Sequence, residues 1–381
     1  MTTADQLDAR DGLRDAARSL LGRESSSERV RALLDDPVGF DPKLWEQMAD
    51  LGWLGLLVPE IDGGEGAGFG EVAVVLQELG RQLTPSPFLA SAVLATSALI
   101  LGGDEAQRRE WLPALAAGDR IATVGLTGRS GRYTADFVEV TATQTDDGWT
   151  LDGVTAFVPD AGVADLLVVR ARSRQGELAV LVDPEGPNVR VEPTPTVDHT
   201  RRLATVHFDG VCVPGTAELG AIGAASIVRA LLDRATIALA LDAAGGAARI
   251  LEFTVEYVKQ REQFGRPVGS FQAVKHKCAD MLVWSQGATA AAEHAADIVD
   301  SDPAAVEEVA ALAGSYALDA FARVAGDAMQ AHGGIGFTWE HDCHLFFKRA
   351  KLDQQLYGDP ATHRDRLARM RIAGAIGTDS S

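Results

Sequence analysis

The chain has 381 residues, 46% of them hydrophobic, and a formal charge of −19. That is enough for a large core in two or three domains and too apolar for a disordered chain. The acidic balance disfavours nucleic acid and anionic membranes as partners, and no apolar run approaches the ~20 residues of a membrane span.

The opening Met1-Thr-Thr-Ala-Asp-Gln lacks the basic and apolar regions of a secretory signal, so a cytoplasmic protein is expected. Cys212, Cys278 and Cys343 lie far apart without metal-ligand spacing and are expected to be free thiols; no metal is expected.

Residues 4–118 have a helical pattern. Leu44, Met48, Leu51 and Leu54 recur at the three-and-four spacing of one buried helix face. The glycine-rich stretch Gly63–Gly70 has no lysine and follows no strand pattern, so a flexible connection is expected rather than a phosphate loop. Val72, Val75, Leu76 and Leu79 open the next helix, and Leu94, Leu99, Trp111 and Leu115 continue the pattern.

Near residue 120 the period changes to two. Ile121–Thr127 resembles a strand, and Val138 and Val140 alternate with Glu139 and Thr141. Asp146-Asp147-Gly148 signals a turn. Further strands are expected at Val154–Val158, Leu166–Arg170, Leu178–Val182, Val189–Val191 and Leu203–Phe208. Short strands with no helix between them imply an antiparallel sandwich or barrel.

From about residue 222 the helical period returns, with Ile237, Leu241, Ala244, Ala248, Leu251, Val255 and Val258 forming a seam. Gly245-Gly246 within it suggests close helix approach. A second helix is expected from Ser270 to Ser301. A third is expected from a cap at Asp302-Pro303 to Met329, stopped by Gly333-Gly334, and a short one over Glu340–Gln354. The expected chain is therefore α+β: an N-terminal helical domain (1–119), a central antiparallel β domain (120–220), a C-terminal four-helix bundle (221–376) and a flexible tail (377–381).

Two stretches carry the chemistry. In Gln330-Ala-His-Gly-Gly-Ile-Gly336, glycines let backbone N–H groups approach a pyrophosphate closely. In Tyr257-x3-Arg261-Glu-Gln-Phe-Gly265, with Phe271-Gln272 following, Arg261 offers a planar fork to phosphate oxygens. Together they resemble the signature of the acyl-CoA dehydrogenase family, and Leu51-Gly-Trp-Leu-Gly-Leu-Leu-Val-Pro-Glu60 resembles its N-terminal domain. The resemblance implies the α, β, α fold, FAD bound across a dimer interface, and an acyl-CoA thioester as substrate. It further implies a homologous subunit in a dimer or tetramer and, for an active enzyme, electron-transfer flavoprotein as acceptor. Arg261 and Phe264 match the pair that reaches the FAD of the neighbouring subunit, and Gln272 a further contact of that FAD. Gln330, Gly333 and Gly334 match the loop along its adenosine diphosphate. Thr127 survives from a flavin-contacting motif, and Asp233 matches a position near bound CoA.

The reaction implied removes an α-proton to a carboxylate and a β-hydride to the flavin. Here the usual Glu slot holds Tyr357, and the alternative slot holds Ala235. A tyrosine, with an ordinary pKa near ~10, is no base at neutral pH. Asp233, near Ala235, is a weak candidate; Glu340 is expected to pair with Lys348 or Arg349, and His332, His341 and His344 to be structural. The family's Thr-x-Gln for the pyrophosphate is Asp359-Pro360-Ala361, its Trp-x-Thr is Phe157-Val158-Pro159, and Gly128–Gly131 does not continue the Thr127 motif. What a subunit gives to its neighbour is kept, and what it needs for its own flavin is altered. This resembles the second subunit of actinobacterial α2β2 dehydrogenases, whose partner carries the base. A non-catalytic structural subunit, or a member with changed flavin chemistry, is the alternative.

Overall fold

In the structure, a computed structural model, residues 3–378 are described. The helices α1 (Thr3–Glu24), α2 (Ser27–Leu33), α3 (Pro42–Asp50), α4 (Phe69–Gln82), α5 (Thr96–Gly102) and α6 (Glu105–Ala116) come first. The strands β1 (Ala122–Gly125), β2 (Val140–Gln144), β3 (Gly148–Pro159), β4 (Leu166–Arg172), β5 (Glu177–Val182), β6 (Val189–Thr194) and β7 (Leu203–Pro214) follow. Then come α7 (Ala224–Gln260), a small hairpin of β8 (Glu262–Gln263) and β9 (Arg266–Pro267), α8 (Gln272–Ser301), α9 (Val306–His332), α10 (Cys343–Asp353) and α11 (Pro360–Thr378). The α, β, α order matches expectation. Of the expected tail, Gly377 and Thr378 end α11, and 379–381 lie outside the described residues.

Contacts divide the chain into two units. One holds residues up to Arg31, Ala73–Thr84 and everything from Thr236 onward; the other holds Ala32–Val72 and Pro85–Ala235. The second unit contains the sheet, ordered β1-β4-β2-β3-β7-β6 with β5 also on β4. It is mixed, where antiparallel pairing throughout was expected. The β2–β3, β3–β7, β6–β7 and β4–β5 pairs are antiparallel, but β1 runs parallel to β4, and Thr141 of β2 pairs with Arg172 in parallel register. Between β1 and β4 the chain makes the whole β2–β3 excursion, long enough to re-enter in the same direction.

Three local expectations change. Leu44, Met48 and Leu54 are buried, but Leu51 is 53% exposed. It caps α3 at its C-terminus, and Gly52 (φ +74) then turns the chain out of the helical period. The Gly63–Gly70 stretch is held rather than loose: Glu65, Gly66 and Ala67 donate to the carbonyls of Gly55, Val58 and Leu56. Finally, α9 begins at Val306 rather than at Asp302-Pro303; Asp302 is the residue after α8, and its carbonyl accepts from Ala305 N–H.

In the first unit, α9 packs against α8, α10 and α11. The glycine pair in α7 does bring helices close. A Cβ at Gly245 would sit 1.9 Å from the Gln77 carbonyl of α4, and one at Gly80 would sit 2.2 Å from the Asp242 carbonyl. Each helix supplies the glycine that the other's backbone needs. The ring of Phe321 fills the space beside Gly246. Among the described residues, no helix is long and apolar enough to cross a membrane.

Candidate flavin and acyl-CoA site

The end of α7 leads directly into the first signature. Glu262–Gln263 and Arg266–Pro267 pair antiparallel around the two-residue turn Phe264-Gly265. Both turn residues have positive φ, +56 and +75, as a type I′ turn requires. Glycine suits the second position; a bulky phenylalanine at the first is strained. Its side chain is 92% exposed, and its ring lies edge-on to Phe271 at 6.2 Å between ring centres. Arg266 lies 4.1 Å over the other aromatic, Phe271. Among the described residues, the exposed Arg261 guanidinium has no ion pair or hydrogen bond. Gln272 is exposed at the first position of α8, whose N-terminus has no side-chain cap. The hairpin therefore holds an arginine, an aromatic ring and an amide out to solvent on a strained backbone that makes little use of them within the chain.

The second signature closes α9. Gln330 is exposed in its last turn, and Gly333 ends the helix at φ +66. The three glycines do different work. A Cβ on Gly336 would meet the Met329 carbonyl at 2.9 Å and His332 Cβ at 3.1 Å, so this glycine is needed for packing. Gly333 is needed for its backbone angle. Gly334 has neither reason: its φ is ordinary and a Cβ would meet nothing within 4 Å. The bare backbone there suits close approach by a group from outside the chain, and a pyrophosphate fits it. Tyr257 braces the loop, donating from its hydroxyl to the His332 carbonyl at 3.3 Å and stacking on the His332 ring at 4.3 Å. Nothing in the sequence alone singles out Tyr257 for this role beyond its place one turn before Arg261.

The residues at the family's other flavin positions are differently disposed. Thr127 is buried, and its hydroxyl donates to the carbonyl of Arg132. Its own carbonyl accepts from Ala156 N–H and Thr155 Oγ1. Phe157 has φ +55 and lies against Gly131, where a Cβ would be 3.5 Å from its ring. Tyr357 is buried at φ +58. Asp359 accepts from Thr362 N–H at 2.7 Å in the first turn of α11, and the Thr362 hydroxyl and amide hold its carboxyl below the usual range. It is a helix cap, which explains an acid at this position. Ala235 and Asp233 are both buried. The exposed set therefore suits an FAD, whereas Thr127 and Asp359 already use the groups that would meet one.

Behind Gly358 (φ +114) lies His363, only 2% exposed. Its ring carbons lie where a Cβ on Gly314 would be, at 2.9 Å. Burial pushes this imidazole down to about 4, outweighing a weak contact with the Gly358 backbone, so it is neutral at physiological pH. Sequence reasoning did not find it, because its significance depends on glycines from other helices.

The expected pairing of Glu340 is not formed. Arg349 is fully buried, with Nε 4.0 Å from Asp242 and Nη2 donating to the Thr84 carbonyl, and Lys348 lies over the Trp339 ring. The Glu340 carboxyl is held low by its own backbone amide and the Thr338 hydroxyl. His344 stacks on Trp339 and bonds its carbonyl at 3.1 Å.

Comparison with known proteins gives the family. The family model "Acyl-CoA dehydrogenase, C-terminal domain" matches residues 223–371, and "Acyl-CoA dehydrogenase, N-terminal domain" matches 8–119. The chain belongs to the acyl-CoA dehydrogenase family, whose members are oxidoreductases. Acyl-CoA dehydrogenase IpdE2 of Mycolicibacterium smegmatis is 35% identical over 363 residues, 95% of this chain and 97% of that protein. Among solved structures, the ChsE4-ChsE5 complex from Mycobacterium tuberculosis superposes with a TM-score of 0.89 at 31% identity, over 97% of both chains. A Tcur3481-Tcur3483 steroid acyl-CoA dehydrogenase variant gives 0.87 at 30% identity, over 97% of this chain and 99% of its own.

Proposed function

We propose that this chain is one subunit of an FAD-dependent acyl-CoA dehydrogenase, desaturating an acyl-CoA thioester in an assembly whose homologous partner supplies the catalytic Glu. The observation that carries this is the split in the site. Arg261, Phe264, Gln272 and the bare Gly334 backbone are presented outward. Thr127 and Asp359 are consumed by the chain's own hydrogen bonds, and no acid occupies either base position. The ChsE4-ChsE5 complex, a solved relative, is an assembly of two named chains, which supports a heteromer.

In this reading Arg261 and the amides at Gly333 and Gly334 hold the FAD phosphates, and Phe264 packs beside them. When bound, FAD supplies the acceptor for the hydride. The hairpin's task is to position and to exclude water; the α-proton goes to the partner's carboxylate, since Tyr357 cannot take it at neutral pH. Electron-transfer flavoprotein is the proposed acceptor.

The test is flavin content per chain, read by visible absorption after denaturation. The chain purified alone should hold little flavin and turn over no acyl-CoA. Co-expression with a homologue that retains the Glu should restore both. A full complement of FAD in the chain alone would overturn the heteromeric reading and leave a self-sufficient oligomer with an unusual base.

A further inference from the structure

His332, His341 and Cys343 play no part in the flavin reading, yet the fold gathers them. His332 ends α9, Cys343 begins α10, and His341 lies between them beyond the Gly333–Phe337 turn. One ligand atom from each lies within 4.8 Å of the others. Cys343 is fully buried and His332 is 96% buried by its 4% exposure. The Phe253 ring stacks on His332 at 5.5 Å and lies 5.2 Å from His341, and Tyr257 stacks on His332 at 4.3 Å.

The hydrogen bonds set His332 up as a ligand. Its Nδ1 lies 2.8 Å from the Ala328 carbonyl and 3.3 Å from Cys343 Sγ; the carbonyl can only accept, so Nδ1 carries the proton and Nε2 the lone pair. That Nε2 is buried and has no hydrogen-bond partner. A buried nitrogen left with a free lone pair is costly unless something satisfies it. A backbone carbonyl that fixes one ring nitrogen also sets the tautomer of metal-bound imidazoles.

We propose that His332, His341 and Cys343 bind a thiophilic divalent cation of the zinc class, which clamps the glycine loop between α9 and α10. Two imidazoles and a thiolate suit such a cation and not magnesium or calcium. On binding, the Cys343 S–H bond breaks, a sulfur–metal bond forms, and the proton passes to solvent. Three ligands leave a fourth position for water. The inference rests on neither FAD nor a partner subunit, so it stands or falls apart from the proposed function.

The test uses the purified full chain, with any partner that accompanies it, stripped with a chelator and titrated with Co²⁺. Cobalt bound to a thiolate gives a near-ultraviolet charge-transfer band. Saturation at one Co²⁺ per chain is expected, with displacement by Zn²⁺. Cys343→Ala should abolish the band and weaken binding at least about tenfold, whereas Cys278→Ala, remote from the cluster, should change neither. If Cys343→Ala does not fold, His341→Gln on the half-buried ring decides, with the same tenfold weakening expected. A wild-type chain showing no band, or a band that survives both Cys343→Ala and His341→Gln, overturns the proposal.

Discussion

The Arg261–Gln272 segment and the loop that follows Thr127, both proposed by resemblance to lie near flavin, are built oppositely. In the first, an aromatic is held almost fully in solvent on a strained turn, beside an arginine with no partner among the described residues. In the second, the surviving threonine has turned its hydroxyl to a neighbouring carbonyl and is buried. A protein maintains strain and exposure where an outside partner repays it. Internal satisfaction is what remains where the partner has gone. In the proposed function, the difference separates residues offered to a shared interface from residues that hold their own loop.

The largest effect that could break this contrast is at Arg261. If its guanidinium meets an FAD phosphate in the assembly, Arg261→Ala should remove a charged hydrogen bond of ~1.5–3 kcal/mol, weakening flavin affinity roughly 10- to 150-fold. Equilibrium release of flavin fluorescence measures this, and unchanged affinity would sink the assignment. The fold of the chain should be untouched, because the side chain is exposed and unpartnered.

Next in size is acid sensitivity at His363. Its folded pKa of about 4 lies below the unfolded value of 6.5, so the unfolded chain binds the extra proton between those limits. Stability should be full above pH 6.5 and fall by on the order of 3 kcal/mol at most as pH drops towards 4. Urea midpoints across that window should fall less steeply for His363→Gln; parallel curves would show that other groups set the acid limit.

The glycine loop sharpens the comparison within a single motif. Gly336→Ala should cost ~1–3 kcal/mol, because the new Cβ meets the Met329 carbonyl. Gly334→Ala should stay within ~0.5 kcal/mol of wild type in stability. Yet it should weaken flavin binding in the assembly, since it occupies a face left bare. Equal stability losses, read as melting temperatures, would refute the division of roles.

The smallest expected effect is at Asp359. Asp359→Ala should cost ~1 kcal/mol through loss of the α11 cap, with no loss of flavin. Because the folded carboxyl is held low, that contribution is present above the ordinary carboxylate pKa and lost as pH falls below it. A large flavin defect here would return Asp359 to the cofactor site.

Much of this was readable from the chain itself. Period-two and period-three-to-four patterns depend on which faces are buried, and burial repeats locally, so the α, β, α order and nearly every strand could be located. The signatures at Arg261 and Gly333 were also visible, because their chemistry lies in contiguous residues. Leu51 misled because a positive-φ glycine immediately after it ends the helix without interrupting the apolar spacing. The direction of β1 against β4 could not be read, since parallel pairing depends on the path of forty intervening residues rather than on either strand.

By itself, the sequence determined which residues could meet a cofactor and which acid was missing, because both are matters of side-chain identity at motif spacing. Only the tertiary structure decided which of them are still available. Thr127 keeps its hydroxyl and spends it on the Arg132 carbonyl, and Gly333, Gly334 and Gly336 differ in backbone angle and in what surrounds each. The gathering of His332, His341 and Cys343 is likewise a property of the turn that folds α10 back against α9. Availability is set by packing and hydrogen-bond partners, and these are long-range quantities that local sequence does not contain.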